Sequence, residues 1–249
     1  AEDGSNLDLV SALRPNAQAL FGIASFDGYD GGVQISSRWA LTMNRFTSSP
    51  TYDLPLRNSV AFPLPTDQLA RLGVRYALID NQYDMSVVAP DWVGPKISDD
   101  LFSVWENPLW IGSATAWFNI RAVEGIPADV LRNELAELGT TALVADRNVQ
   151  LSCTIKCDAL PVTFSRPTPE HLFGEVDLEQ PALVSLHQQA LPGWEVQVDG
   201  KVADVVEVDG IFLGVVVPSG QHDIEWRYRT TWLTWSKWVS IVGLLLTLG

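Results

Sequence analysis

Residues 182–229 read ALVSLHQQALPGWEVQVDGKVADVVEVDGIFLGVVVPSGQHDIEWRYR, and the punctuation of this stretch decides how the rest of the chain is read. Asp199-Gly200 and Asp209-Gly210 each stand between alternating apolar runs, and Asp-Gly supplies the positive φ of a tight hairpin turn at low steric cost. Pro218-Ser219-Gly220 is a third turn, so the spacing predicts five strands in an antiparallel, sandwich-like meander. Alternation is cleanest in the last strand, where Ile224, Trp226 and Tyr228 face one way and Asp223, Glu225, Arg227 and Arg229 the other. Trp194, Val196 and Val198 likewise share a face, which makes Trp194 the expected core anchor of the sheet.

Beyond Arg229 the chain runs through TTWLTWSK into an apolar stretch from Trp238 to Gly249 with no charge after Lys237. That stretch is shorter than the roughly 20 apolar residues that cross a bilayer. Trp232, Trp235 and Trp238 recur every third residue beside Lys237, the composition of a headgroup-level aromatic belt with a snorkelling lysine. The expectation is the start of a C-terminal transmembrane helix within 231–249; the competing reading is an ordinary C-terminal helix.

The 249 residues carry a net charge of -14, and no basic cluster exceeds Arg227-Tyr228-Arg229, which argues against nucleic acid as a partner. Cys153 and Cys157 are the only cysteines, with no neighbouring ligand cluster, so no metal site is expected. An isolated pair suits an oxidising compartment, and a disulfide between them requires a turn, since four residues of continuous strand separate Cα atoms by roughly 13 Å. Two free buried thiols are the alternative.

Upstream, SNLDLVSAL (5–13) has a capping serine and helical spacing, and a glycine-rich loop follows in which Asp27 and Asp30 flank Tyr29. Those three residues are either a polar, aromatic sugar or ion site or a loop whose aspartates satisfy its own backbone. Thr66 opens a short helix closed by Gly73 before an apolar strand at Val74–Ile79, and 127–146 repeat that order through Gly139. With strand-like 101–107 and 116–125 between them, the expected fold class is α+β: an α/β-type mixed-sheet domain over 1–150, a linker over 151–168, and an antiparallel β domain over 169–230.

Catalytic signatures are missing from this sequence. No G-x-S-x-G, H-E-x-x-H or Walker pattern occurs, none of His171, His187 and His222 has a nucleophile near it in sequence, and Asp99-Asp100 reads as a solvated loop. The chain reads as a binding or structural module.

The run from Leu191 to Arg229 followed by an apolar segment resembles the C-terminal part of YfhO-type bacterial membrane proteins. The matching residues are Pro192-Gly193-Trp194, Val198-Asp199-Gly200, Asp209-Gly210, Pro218, Gly220, His222, Trp226 and Tyr228-Arg229, with FGIASFDGYDGG, LGVRYALID and LFSVWENP resembling upstream elements. Leu109–Ala116 departs from the family's pattern, so no arginine role is carried over there. That resemblance implies a GT-C-like, multi-span glycosyltransferase that takes sugar from a polyprenyl-phosphate donor, with catalytic residues in membrane loops outside this chain. On this reading the chain is the extracytoplasmic domain on the outer side of the cell membrane and holds no cofactor of its own. Its partners would be membrane lipid, the acceptor glycan and the parent's N-terminal membrane region. Asp27, Tyr29 and Asp30 would contact acceptor, and Trp232, Trp235, Lys237 and Trp238 would meet the lipid interface. A membrane-tethered carbohydrate-binding or adhesion module is the alternative, and a soluble glycosidase using Asp27 or Asp30 a third.

Overall fold

A computed structural model describes residues 66–123, 138–145 and 148–229. Several expectations therefore lie outside the described residues: the helix over 5–13, the loop of Asp27, Tyr29 and Asp30, most of the helix before Gly139, and the segment of Trp232, Trp235, Lys237 and Trp238 with its transmembrane helix. Among the described residues no helix is long and apolar enough to cross a membrane.

The described residues are β-rich, with fifteen strands in three sheets and two short helices, which bears out the sandwich-like part of the expected fold, while helix is too sparse among them for a clear α+β class. The chain divides into two compact units. Described residues of the first are 66–113, 123, 138–139 and 209–211. Here α1 (Thr66–Arg71) leads through Gly73, at φ 81, into β1 (Tyr76–Asp80), the helix-glycine-strand order read from the sequence. Then come α2 (Met85–Val88), with Asp84 as its N-cap, β2 (Val93–Ser98) and β3 (Phe102–Glu106). The three strands form a sheet in the order β1-β3-β2. Its inner face packs Ile79 with Leu69, Val88, Ala89 and Trp92 from the helices and their flanks. Trp92 Nε1 donates to Thr66 Oγ1 (3.2 Å) and Asn107 Nδ2 to Thr66 O (2.9 Å), so the polar groups at that core are satisfied.

The second unit is the sandwich. One sheet has seven strands: β4 (Ala114–Trp117), β5 (Asn119–Ala122), β6 (Thr141–Val144), β7 (Leu160–Val162), β10 (Ala182–Gln189), β13 (Val206–Val208) and β14 (Phe212–Val217), in the order β5-β6-β13-β14-β10-β4-β7. The other has five: β8 (Ser165–Thr168), β9 (His171–Leu178), β11 (Trp194–Val198), β12 (Lys201–Ala203) and β15 (Gly220–Tyr228), in the order β12-β11-β15-β9-β8. Val184, Leu213, Val215 and Val217 of the first sheet and Leu172, Val176, Val196, Ile224 and Trp226 of the second share one core, which sets the sheets face to face.

Two organisational readings change. The single meander over 182–229 is in fact split between the sheets. The two Asp-Gly turns join strands of one sheet, β11–β12 and β13–β14, whereas the connections β10–β11, β12–β13 and β14–β15 each cross to the other sheet. A lone meander would leave its apolar face open; crossing lets both apolar faces bury each other. The expected linker over 151–168 holds β7, paired with β4, and β8, paired with β9, so strands from 114–144 and from 160–217 share a sheet. Gly193, at φ 111, serves the first crossing, where an added Cβ would stand 2.7 Å from the Arg229 carbonyl oxygen.

Trp194 is half-buried at the end of β11, beside Tyr228 (ring centroids 5.2 Å apart). The fully buried anchor is Trp226, paired across the sheet with Val196. Trp194 opens its strand, and a side chain at a sandwich rim keeps one edge in water. Trp194→Ala should therefore cost about 1–2 kcal/mol, less than a fully buried tryptophan, as read from the urea midpoint.

Cys153 and Cys157 are joined by a disulfide, with Cα atoms 5.5 Å apart where the chain bends between them. Gln180, itself buried, holds that loop: it accepts from the Thr154 backbone N–H (3.0 Å) and donates to the Lys156 carbonyl (2.8 Å). Closing so short a loop removes little chain entropy, so Cys153→Ser with Cys157→Ser should lower stability by about 2 kcal/mol. Intact-mass measurement without reductant should find two hydrogens fewer than the reduced chain; two freely alkylating thiols would contradict this pairing.

Candidate functional site

Alternation along β9 sends Leu172, Val176 and Leu178 to the core and leaves Phe173, Glu175 and Asp177 outside. On β15, Ile224 and Trp226 go inward and Asp223 and Arg227 outward. Antiparallel register then lays Phe173 opposite Glu225, Glu175 opposite Asp223 and Asp177 opposite Gln221. Two carboxylates directly across a strand pair work against the sheet, and a sequence carries such a conflict most often where the surface has a use.

At this end of the sheet lies a depression of about 450 Å³ lined by Glu175, Asp177, Asp199, Gln221, His222 and Asp223. Asp199 reaches it from the β11–β12 turn, at φ 53. Its carboxylate accepts from the Asp223 backbone N–H (3.0 Å) and lies 2.7 Å from His222 Nδ1. His222 Nε2 in turn lies 3.3 Å from the Ser219 carbonyl oxygen. Both ring nitrogens thus face acceptors, an arrangement satisfied on both sides only by the imidazolium. The contact with Asp199 holds the His222 pKa above its ordinary value, and the same contact, with the Asp223 N–H, holds the Asp199 carboxyl below the usual carboxylate range.

A second imidazole–carboxylate pair sits farther along the face. His171 Nε2 is 2.7 Å from Glu225 Oε1, to which Arg227 donates through Nε (3.0 Å) and Nη2 (2.6 Å). Those donors, Arg227 first and then His171, keep the Glu225 pKa low. Its carboxylate is fixed beside the exposed ring of Phe173.

Chemically, this is a face of fixed acceptors with one aromatic surface. Among the described residues neither His171 nor His222 touches a serine hydroxyl or thiol that it could activate, and no group of three or more His, Cys, Asp or Glu side chains is arranged to hold a metal ion. Carboxylates and amides that accept hydrogen bonds from hydroxyl groups, beside a ring that packs on C–H faces, suit a polyhydroxylated ligand.

Sequence reasoning did not bring these residues together. It assigned Asp199 to a hairpin turn and found no nucleophile near His222 in sequence, and their contact forms only when β11 pairs with β15. Asp99 does cap a solvated turn, its carboxylate accepting from the N–H groups of Leu101 (2.8 Å) and Phe102 (2.7 Å). Glu106 bridges Arg75 (3.0 Å) and Lys96 (2.9 Å). No protein-family model, no curated protein and no solved structure matches the chain.

A pH dependence follows from the Asp199–His222 pair. A raised histidine pKa contributes stability that is full below the unfolded value of 6.5 and lost as pH rises through the folded value. The lowered Asp199 pKa contributes stability present above 3.8 and lost as pH falls through its folded value. The melting-temperature difference between the wild type and His222→Asn should therefore be largest between pH 3.8 and 6.5 and shrink on either side. A difference constant from pH 3 to 9 would remove the ion pair from this account.

Proposed function

We propose that this chain is the extracytoplasmic domain of a multi-span, YfhO-type membrane glycosyltransferase that uses a polyprenyl-phosphate sugar donor, and that it assists acceptor-glycan binding in cell-envelope glycosylation. The observation that carries this reading is the Cys153–Cys157 disulfide in a β-sandwich whose last strand leads toward the tryptophan-rich segment 231–249. A structural disulfide favours an oxidising compartment. The residues of the family resemblance support it further: Asp199-Gly200 and Asp209-Gly210 take the positive φ of the hairpin turns, and Trp226 is the buried anchor.

In this reading residues 1–150 include an α/β-type part, and 231–249 begin a transmembrane helix with Trp232, Trp235, Lys237 and Trp238 at the lipid interface. Asp27, Tyr29 and Asp30 contact the acceptor, and the outer face of β9 and β15 adds acceptors for its hydroxyl groups. The chain holds no catalytic residue of its own. Transfer from a polyprenyl-phosphate sugar requires a carboxylate near the headgroups and cationic contacts for the departing phosphate, and both belong to the parent's membrane region.

A membrane-tethered carbohydrate-binding module is the second reading, favoured by His171 and His222, each tied to a carboxylate with no nucleophile beside it among the described residues. The two part on the parent gene: many apolar segments upstream of Ala1 favour the transferase, and a signal peptide directly before it favours the module. In an assay with a polyprenyl-phosphate sugar donor, the full-length parent should turn over and the isolated chain should not. Asp27→Ala with Asp30→Ala in the parent should raise the acceptor KM about tenfold or more, the loss of one or two hydrogen bonds to a ligand. Turnover by the isolated chain would overturn the non-catalytic reading, and an unchanged KM would remove those aspartates from the acceptor site.

A further inference from the structure

The three-stranded sheet of the first unit has two edge strands, and only one of them is blunted. Strand β2 carries Pro95, Lys96 and a register shift between Val93 and Ile97, three of the devices by which an edge resists a further strand. Strand β1, YALID, has none of them and pairs with β3 residue for residue. The Asn107 N–H donates to the Arg75 carbonyl and the Asn81 N–H to the Leu101 carbonyl, which fixes the phase of that ladder. Antiparallel pairing alternates, so Ala77 and Ile79 turn their backbone groups to β3, and Tyr76, Leu78 and Asp80 turn theirs to the open edge. Among the described residues only the Asp80 carbonyl is taken, by the Tyr83 N–H (3.1 Å). Tyr76 and Leu78 are 48% and 41% exposed beside that edge.

Charge along the edge selects the partner. At the Tyr76 end Glu106 bridges Arg75 and Lys96, one carboxylate against two cations, which leaves this end positive. Arg75 spends only Nε on Glu106 and is held over the Tyr76 ring (4.8 Å), so its terminal nitrogens have no hydrogen-bond partner among the described residues. The other end is acidic, with Asp80 on β1 and Asp99 and Asp100 in the turn between β2 and β3. The Asp80 carboxylate accepts from Gln82 and meets no cation among the described residues. A strand that is basic at one end and acidic at the other complements itself when antiparallel and repels itself when parallel.

We propose that β1 pairs with β1 of a second copy of this chain, antiparallel about a two-fold axis at Leu78, so that the two small sheets become one. Leu78 then faces its counterpart and exchanges both N–H···O bonds with it, and the Asp80 N–H of each copy donates to the Tyr76 carbonyl of the other. Asp80 of the other copy comes beside the Tyr76 ring and the free end of Arg75, and symmetry makes that contact twice. An extended segment of a different protein would satisfy the same backbone groups, but only a second copy supplies an acid for Arg75 and a base for Asp80 by symmetry. So short a pairing buries little surface, which makes the dimer weak and concentration-dependent.

Hydrogen exchange of the whole chain between about 1 µM and about 1 mM, the range of weak association, reads the edge directly. The amides of Leu78 and Asp80 should slow about tenfold at the upper end, as expected for groups that gain a ladder partner. Those of Ala77 and Ile79, bonded to β3 in either state, should not change, and sedimentation velocity should show a dimer over the same range. Arg75→Glu and Asp80→Lys should each be monomeric, because each sets like charges opposite, and an equal mixture of the two should dimerise again, since both contacts are then between opposite charges. Leu78 and Asp80 amides that exchange at one rate throughout, fast or slow, would overturn the pairing. A dimer that leaves the Leu78 amide unprotected would overturn it too, as the copies would then meet elsewhere. So would a mixture that stays monomeric while the Ala77 and Ile79 amides show both variants to be folded. Protection of Leu78 by an added extended peptide, in a chain that sediments as a monomer at every concentration, would assign the edge to a different partner and overturn the second copy.

Discussion

Replacing Arg71 by alanine should cost the first unit about 3–5 kcal/mol, the penalty for leaving one member of a buried ion pair without its partner. Arg71 and Asp209 are 138 positions apart, with side chains 5% and 2% exposed, and they meet as a fork: Nε to Oδ2 at 2.7 Å and Nη2 to Oδ1 at 2.9 Å. Arg71 Nη1 lies 3.5 Å from the Gly139 carbonyl, which adds a third acceptor. Lysine should not restore the loss, because a point charge cannot reproduce two parallel donors. Arg71→Met combined with Asp209→Asn should recover part of the stability, since both charges leave together and asparagine tolerates the φ of 53 at that position. Hydrogen exchange at the amides of α1 and β1 reads this unit separately from the sandwich. Exchange unchanged in Arg71→Ala would show that the pair contributes nothing net.

Trp226→Ala should cost the sandwich about 3–5 kcal/mol, between two and three times the effect expected at Trp194. The side chain is 0% exposed and stands in the shared core with Val196, Val215 and Ile224, so truncation leaves a cavity that two packed sheets cannot close. Trp226 Nε1 makes no hydrogen bond among the described residues, so the indole is held by packing alone. Phenylalanine removes that unsatisfied N–H and should be milder than alanine by at least about 1 kcal/mol. Urea unfolding of the three proteins checks the order; equal losses for alanine and phenylalanine would mean that the cavity is not the cause.

Much of the sandwich's local geometry was legible. Asp199-Gly200 and Asp209-Gly210 could be read as turns because positive φ is a property of two residues and their backbone. The inward set of β15 could be read because side-chain period 2 needs no partner to be defined. Helix α1, its glycine stop and β1 followed from the same local logic. Legibility ended at partner choice. Nothing in residues 182–189 says that β10 lies between β14 and β4, because ladder hydrogen bonds are made by backbone groups that every residue carries. The sequence therefore shows five strands between Ala182 and Arg229 where the structure has six, and it does not assign them three to each sheet.

The same boundary separates the two kinds of site residue. The sequence by itself determined that a single cysteine pair was available, that the last strand had a wet face rich in charge, and that no hydrolase or metal signature was written in consecutive residues. Tertiary structure decided which side chains meet. It brought Asp199 to His222, Glu225 to His171, and Arg71 to Asp209, at separations of 23, 54 and 138 residues. It also left Tyr76, Leu78, Val93 and Ile97 open on one face. Propensity and turn chemistry act over a few residues and leave a local trace, whereas a salt bridge or an uncovered face depends on where distant backbone is carried, and that follows from burying two apolar sheets on each other.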